Sequence, residues 1–158
     1  MRAIAPFLWF DDNAEEAVQF YLSVFPNARA GMVTRYPEGA PGKAGSVMTA
    51  TFTIGDLEFM ALNGGPHFRF NESISFVVPC ENQAEIDAMW EKLSAGGGEV
   101  QCGWVKDKFG LSWQVVPHNM GVLLQGKDAE GGKRAMQAMM QMKKIDIAAL
   151  RRAGGFAE

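Results

Sequence analysis

Few residues in this chain are of a type that does chemistry. His67 and His118 are its only histidines, and Cys80 and Cys102 its only cysteines. Two imidazoles exclude a three-histidine metal site within one chain and constrain a mixed histidine/carboxylate one. His67 sits in the glycine- and proline-rich stretch NGGPHFRF, which reads as a loop, with ligand contact or general acid–base work as the sharper alternative. His118 follows Pro117 in a second loop. The cysteines lack CxxC spacing and basic neighbours, so they read as small buried thiols rather than as a disulfide or a nucleophile. Ser46, Ser73, Ser75 and Ser112 lie in or beside apparent strands, and no GxSxG elbow occurs. Gly96–Gly98 follows a helical pattern and is a helix stop rather than a phosphate cradle, and GGKR from Gly131 lacks both a leading strand and the Ser/Thr of a phosphate loop. One polar residue does break a buried pattern: in KDKFGLSWQVVP, Gln114 interrupts the apolar run of a strand.

The elements that must position these residues form two similar halves. Ile4–Phe10 is an apolar run, after which DDNAEEAVQFYLSVFP opens a helix with Asp12 or Asn13 as N-cap and acids in the first turn. Ala17, Phe20, Tyr21 and Val24 form its apolar stripe, and Pro26 ends it. ARAGMVTRY follows as a strand. In SVMTATFTI, Met48, Ala50, Phe52 and Ile54 alternate with threonines, as in a half-buried strand, and Gly55-Asp56 turns the chain into another strand, EFMAL. The order is βαβββ. A shift of 69 positions carries Asn13 onto Asn82, Tyr21 onto Trp90 and Val24 onto Leu93, and strands again follow the second helix in EVQCGWV and LSWQVVP, joined by the turn KDKFG. Under that shift Pro6, Leu8 and Phe10 share a sheet face with Ser75, Val77 and Pro79. From Gly131 to Arg152 the pattern is helical, with Met136, Met139, Met140 and Ile145 on one side as core or partner surface and Asp146 as a second N-cap.

A chain of 158 residues fits one domain. With 47% hydrophobic residues, 21% charged residues and a formal net charge of −3, it has the composition of a soluble globular protein and no basic footprint for nucleic acid. No apolar run suits a signal peptide or a membrane span, so the expected location is the cytoplasm.

The repeated order, together with PFLWFDDNAEEAVQFYLSVFPNA, FMALNGGPHFRFNESISFVV, CGWVKDKFGLSWQVVP and MQAMMQMKKIDIAAL, resembles the PhnB-like family of the vicinal oxygen chelate superfamily. Members of that family are often labelled 3-demethylubiquinone-9 3-methyltransferase-like. The resemblance implies an α+β fold in which two βαβββ modules, residues 1–70 and 71–126, form a cupped and mostly antiparallel sheet. Residues 127–158 add a helical tail, and the whole is usually a homodimer. Metal-dependent relatives carry ligands on the first and last strands of each module. Transferred here, those positions fall on Pro6, Met60, Ser75 and Gln114, with one residue of ambiguity at Met60. Proline offers no donor atom, methionine is a soft thioether and serine is a poor ligand, so the superfamily metal site is expected to be absent unless His67 or Glu58 rebuilds a shifted one.

Methyl transfer on a doubly wound nucleotide-binding fold would require a glycine-rich turn after the first strand and alternating strands and helices, and the sequence has neither. The expectation is a protein without cofactor or metal that binds a small organic molecule in a cup built from Leu8, Phe10, Met60, Trp104 and Gln114, with Ser75 and His67 as further contacts. The alternatives are an enzyme using a rebuilt metal or acid–base site, and a dimer whose cup is filled by its own side chains.

Overall fold

The computed structural model describes residues 3–157. Two compact units share the chain, one reaching to Phe70 and the other starting at Asn71. In the first, β1 (Phe7–Phe10) leads into α1 (Ala14–Val24), followed by β2 (Ala28–Arg35), β3 (Val47–Ile54) and β4 (Leu57–Asn63). The second runs β5 (Ser75–Cys80), α2 (Gln83–Ser94), β6 (Gly98–Glu99), β7 (Trp104–Lys106) and β8 (Ser112–Pro117), and then adds α3 (Met120–Gln125), α4 (Ala129–Met140) and α5 (Ile147–Gly154). Each unit has one four-stranded sheet, ordered β1-β4-β3-β2 and β5-β8-β7-β6. The first strand of each unit pairs in parallel with the last, and the remaining pairs are antiparallel. The expected α+β repeat is therefore present. β5 is an edge strand of its sheet, which is why Pro79 within it is tolerated: a missing N–H costs no ladder bond on the outer side. Pro6 precedes β1 and adds only its carbonyl to the pairing, accepting from the Met60 N–H (3.0 Å).

The α1 stripe is buried as the sequence predicts at Ala17, Tyr21 and Val24 but not at Phe20, which is half-buried. Ala14, Ala17, Val18, Tyr21 and Val24 of α1 are buried, as are Ile86, Trp90 and Leu93 of α2. Under α1, Phe52 stacks between Tyr21 (ring centroids 5.5 Å apart) and Phe59 (4.9 Å, interplanar angle 8°). The β3–β4 hairpin turns at Gly55, whose φ of 57° is the left-handed conformation such a two-residue turn needs.

Three sequence readings are corrected. Leu8 and Phe10 do not share a face with Met60: parallel pairing sets Leu8 beside Ala61 and Phe7 beside Met60. Leu8, Phe10, Ala61 and Phe59 are buried in the core, whereas Phe7 is exposed. The reason is a difference in connection length, since three residues separate β1 from α1 and two separate β5 from α2. The helices thus repeat at a shift of 69, whereas the strands repeat at 70, and one residue of slip inverts every side chain. Second, EVQCGWV is not one strand, because Cys102 (φ 60°) and Gly103 (φ 83°) turn the chain between β6 and β7. Third, Cys102 is only half-buried, while Cys80 is buried; both are free thiols.

In the tail, Asp146 caps α5, its side chain accepting from the Ala149 N–H (2.9 Å), and Asp128 caps α4 in the same way through Gly131. A Cβ on Gly131 would lie 2.4 Å from the Gly154 carbonyl oxygen, so only glycine lets α4 and α5 approach this closely. Gln83 ties α2 to the start of α5, donating to the Ile145 carbonyl (3.0 Å) and accepting from the Ile147 N–H (2.9 Å). Ile145 is buried, but Met136 and Met140 of the expected apolar face remain exposed. No described helix is long and apolar enough to cross a membrane.

Candidate functional site

In the second unit the sheet buries Trp113, Val115 and Cys80 on the face that carries α2. The opposite face presents Ser75, Val77, Trp104 and Gln114. Register sets Gln114 between Val77 of β5 and Trp104 of β7, with all three side chains on one side. The Gln114 amide donates to the Ser75 hydroxyl (2.9 Å). That bond leaves the serine O–H and the second amide N–H free to donate and the glutamine carbonyl free to accept, so the pair offers both donors and an acceptor beside an indole and an exposed valine.

The turn before β8 holds Gln114 in place. Asp107 is 2% exposed, and its carboxylate accepts from the Phe109 N–H (2.9 Å), the Leu111 N–H (3.1 Å) and the Trp113 indole (2.9 Å). Beside it, Lys106 pairs with Glu72, whose carboxyl is held below the ordinary range by the lysine hydrogen bond.

In the first unit, Met60 occupies on β4 the place that Gln114 occupies on β8. Phe7 pairs with Met60 as Val77 pairs with Gln114, which removes the one-residue ambiguity of the sequence reading. The face presenting Met60 also carries Phe7 and Trp9. The strand shift of 70 puts Ala5, not Pro6, in the position matching Ser75. The four corresponding positions thus hold alanine, methionine, serine and glutamine, with no carboxylate, imidazole or thiolate for a hard divalent ion. Glu58 is exposed on β4, and no group of three or more His, Cys, Asp or Glu side chains is placed to hold a metal ion among the described residues.

His67 lies in a loop, with its ring edge-on to Trp9 at 6.4 Å. It borders a cleft of about 490 Å³, lined also by Asp11, Glu15, Tyr36, Lys43 and Asn63. Sequence reasoning missed Asn63, the organising residue of this cleft. Its Oδ1 accepts from the Ala14 N–H (2.8 Å), so it caps α1 from β4, while Asn13, the N-cap by position, makes no side-chain cap. Its Nδ2 donates to Glu15 (2.7 Å) and to the Val47 carbonyl (3.1 Å), and its own carbonyl accepts from the Tyr36 hydroxyl (2.5 Å). Asn63→Ala should cost about 2 kcal/mol, since it removes a cap and strands buried backbone groups. Asn63→Asp, which keeps the cap but faces Glu15 and a carbonyl with a second anion, should recover only part of it. Equal urea midpoints for Asn63→Ala and the unmodified chain would disprove this role. His118 lies on the surface of the second unit, its Nδ1 3.5 Å from the Glu81 carboxylate.

Residues 2–116 match the 3-demethylubiquinone-9 3-methyltransferase family, a span that ends within β8 and leaves out α3–α5. Among solved structures, the chain is 37% identical to a protein from Bacillus cereus described as a putative 3-demethylubiquinone-9 3-methyltransferase, PhnB protein; the similarity covers 73% of this chain and 99% of that one, with a TM-score of 0.65. Protein PA1353 from Pseudomonas aeruginosa shares the fold at 21% identity and a TM-score of 0.60, over 74% of this chain and 97% of its own. The fosfomycin resistance protein FosX from Mesorhizobium loti shares it at 14% identity and a TM-score of 0.52, over 74% and 90%. No curated protein matches the chain. With the paired βαβββ modules, the family match and the Bacillus cereus relative in agreement, this chain belongs to the PhnB-like 3-demethylubiquinone-9 3-methyltransferase family.

Proposed function

We propose that the protein binds a small organic molecule on the helix-free face of its sheet without using a metal. The observation that carries this reading is the Ser75–Gln114 pair, which sets donors and an acceptor beside Trp104 and Val77. Ligand sites are mostly apolar surfaces with a few placed polar groups, and this face has that make-up. The ligand class it fits is a flat, largely apolar molecule with a hydroxyl or carbonyl group that the pair can hold. Met60, with Phe7 and Trp9, gives the first unit a wholly apolar counterpart. The protein acts in the cytoplasm as a homodimer, in line with the family resemblance and with exposed Phe7 and Val77, and sedimentation at micromolar concentration should give twice the chain mass.

The test is a thermal-shift and calorimetric screen of substituted phenols and quinones. A binder at a hundred times its Kd should add about 2.7 kcal/mol of apparent stability. Gln114→Ala should weaken that binder about tenfold, the worth of one hydrogen bond to a partly buried group, and leave the unliganded melting temperature near its starting value. Absence of any shift across the panel would remove the reading and favour a face satisfied by its own side chains. Gln114→Glu tests the metal-free part separately. The variant should retain no stoichiometric Mn²⁺, Ni²⁺ or Zn²⁺ after dialysis, because its neighbours contribute no second strong ligand.

A second reading rests on the cleft of the first unit, where His67, Glu15 and Lys43 border one space and could serve acid–base chemistry. The methyl transfer in the family's name would have to proceed here without a glycine-rich phosphate turn, because β1 runs into Asp11, Asp12 and Asn13.

A further inference from the structure

We propose that Cys102 and Met140 form a binding site for a soft monovalent metal ion, Cu(I) or Ag(I), with Met136 as a third donor. The Cys102 sulfur lies 3.8 Å from the Met140 sulfur, although 38 positions separate the two residues. The tail holds the pair together through its backbone, with the Cys102 N–H donating to the Met142 carbonyl (2.8 Å) and the Gly103 N–H donating to the Lys143 carbonyl (2.7 Å).

Thiolate and thioether are the donor types that select Cu(I) over hard ions. With metal–sulfur bonds of about 2.3 Å, a 3.8 Å gap closes at an angle of about 110°, which leaves room for a further ligand. Met136 stands one helical turn before Met140 on the same face of α4. Met136 is 44% exposed and Met140 57%, while α4 buries Gly131 and Ala135 instead, so the two thioethers are spare of core packing. The other thiol makes the contrast. Cys80 is buried and its pKa is raised to about 11, first by burial and then by the Glu85 charge, which keeps it a neutral and inert thiol. Binding releases one proton per ion, as the Cys102 S–H bond is replaced by a metal–thiolate bond, and no electrons are exchanged.

The experiment titrates the reduced, full-length protein with Cu(I) in the presence of a colorimetric Cu(I) chelator. One equivalent should be withdrawn from the chelator. Cys102→Ser and Met140→Leu should each weaken retention at least tenfold, and Met136→Leu less. Cys80→Ala should leave it unchanged. Met140→Leu preserves the exposed apolar surface, so loss of binding there is not a folding defect. Retention of Cu(I) at full affinity by Met140→Leu would reduce the site to a bare surface thiol and overturn the proposal, as would Cu(I) held equally well by Cys102→Ser. Ag(I) gives a second readout: one equivalent should protect Cys102 from iodoacetamide at neutral pH, and continued alkylation would equally overturn the assignment.

Discussion

Replacing Asp107 with alanine should lower the unfolding free energy by about 4 kcal/mol, because three donors that now share one buried carboxylate would be left without it. Two are backbone N–H groups of the β7–β8 turn and the third is the Trp113 indole, which lies in the core under α2. Hydrogen bonds to a charged acceptor are worth about 1.5–3 kcal/mol each, and the larger part of the loss is the cost of burying the orphaned donors. Asp107→Asn separates the contributions. The amide can still accept from the turn through one oxygen, but its NH₂ group would face the indole N–H, so about half the loss should remain. Urea denaturation followed by circular dichroism checks both variants. The same turn sets the register of β8 and hence the aim of Gln114, so ligand affinity should fall in Asp107→Asn even at temperatures where the chain is fully folded. A midpoint for Asp107→Ala within error of the unmodified chain would show that the turn is held by other contacts.

Phe52→Ala should cost a comparable amount, about 3–5 kcal/mol, the range for removing a fully buried aromatic ring. Phe52 is 1% exposed and lies between two nearly parallel rings, so truncation forfeits both stacking contacts and leaves a void between α1 and the sheet. Phe52→Leu refills much of that volume without the stacking and should cost about 1–2 kcal/mol. The loss should fall on the first unit. Hydrogen exchange of α1 amides should accelerate more than that of α2 amides, and uniform acceleration would contradict an independent core in the first unit.

The sequence by itself determined the βαβββ order of the first unit, most of the buried stripe of α1, the hairpin at Gly55-Asp56 and the caps Asn82 and Asp146, but not the break of EVQCGWV into β6 and β7 nor α3. Each feature it determined is a local matter, settled by apolar spacing or by a cap within three residues of its partner. It also identified Gln114 as a polar interruption in a buried strand, while the match with Met60 came from the family resemblance and was open by one residue. It could not assign the faces of β1. Phe7, Leu8, Trp9 and Phe10 are all apolar, so the period-two signal is missing, and only packing of Leu8 and Phe10 under α1 decides which side is buried. The slip from 69 to 70 between helix and strand repeats is invisible for the same reason, because one residue fewer in a connection changes no apolar pattern.

Asn63 as the cap of α1, Asp107 as the anchor of three donors and the sulfur pair of Cys102 and Met140 were decided by tertiary structure alone. The helix cap joins residues 49 positions apart and the sulfur contact residues 38 apart. Asp107 is close in sequence to its partners, yet its role depends on burial. A carboxylate in a solvated turn and one sealed beneath a tryptophan have the same sequence signature, and only the enclosing core makes the second worth several kcal/mol.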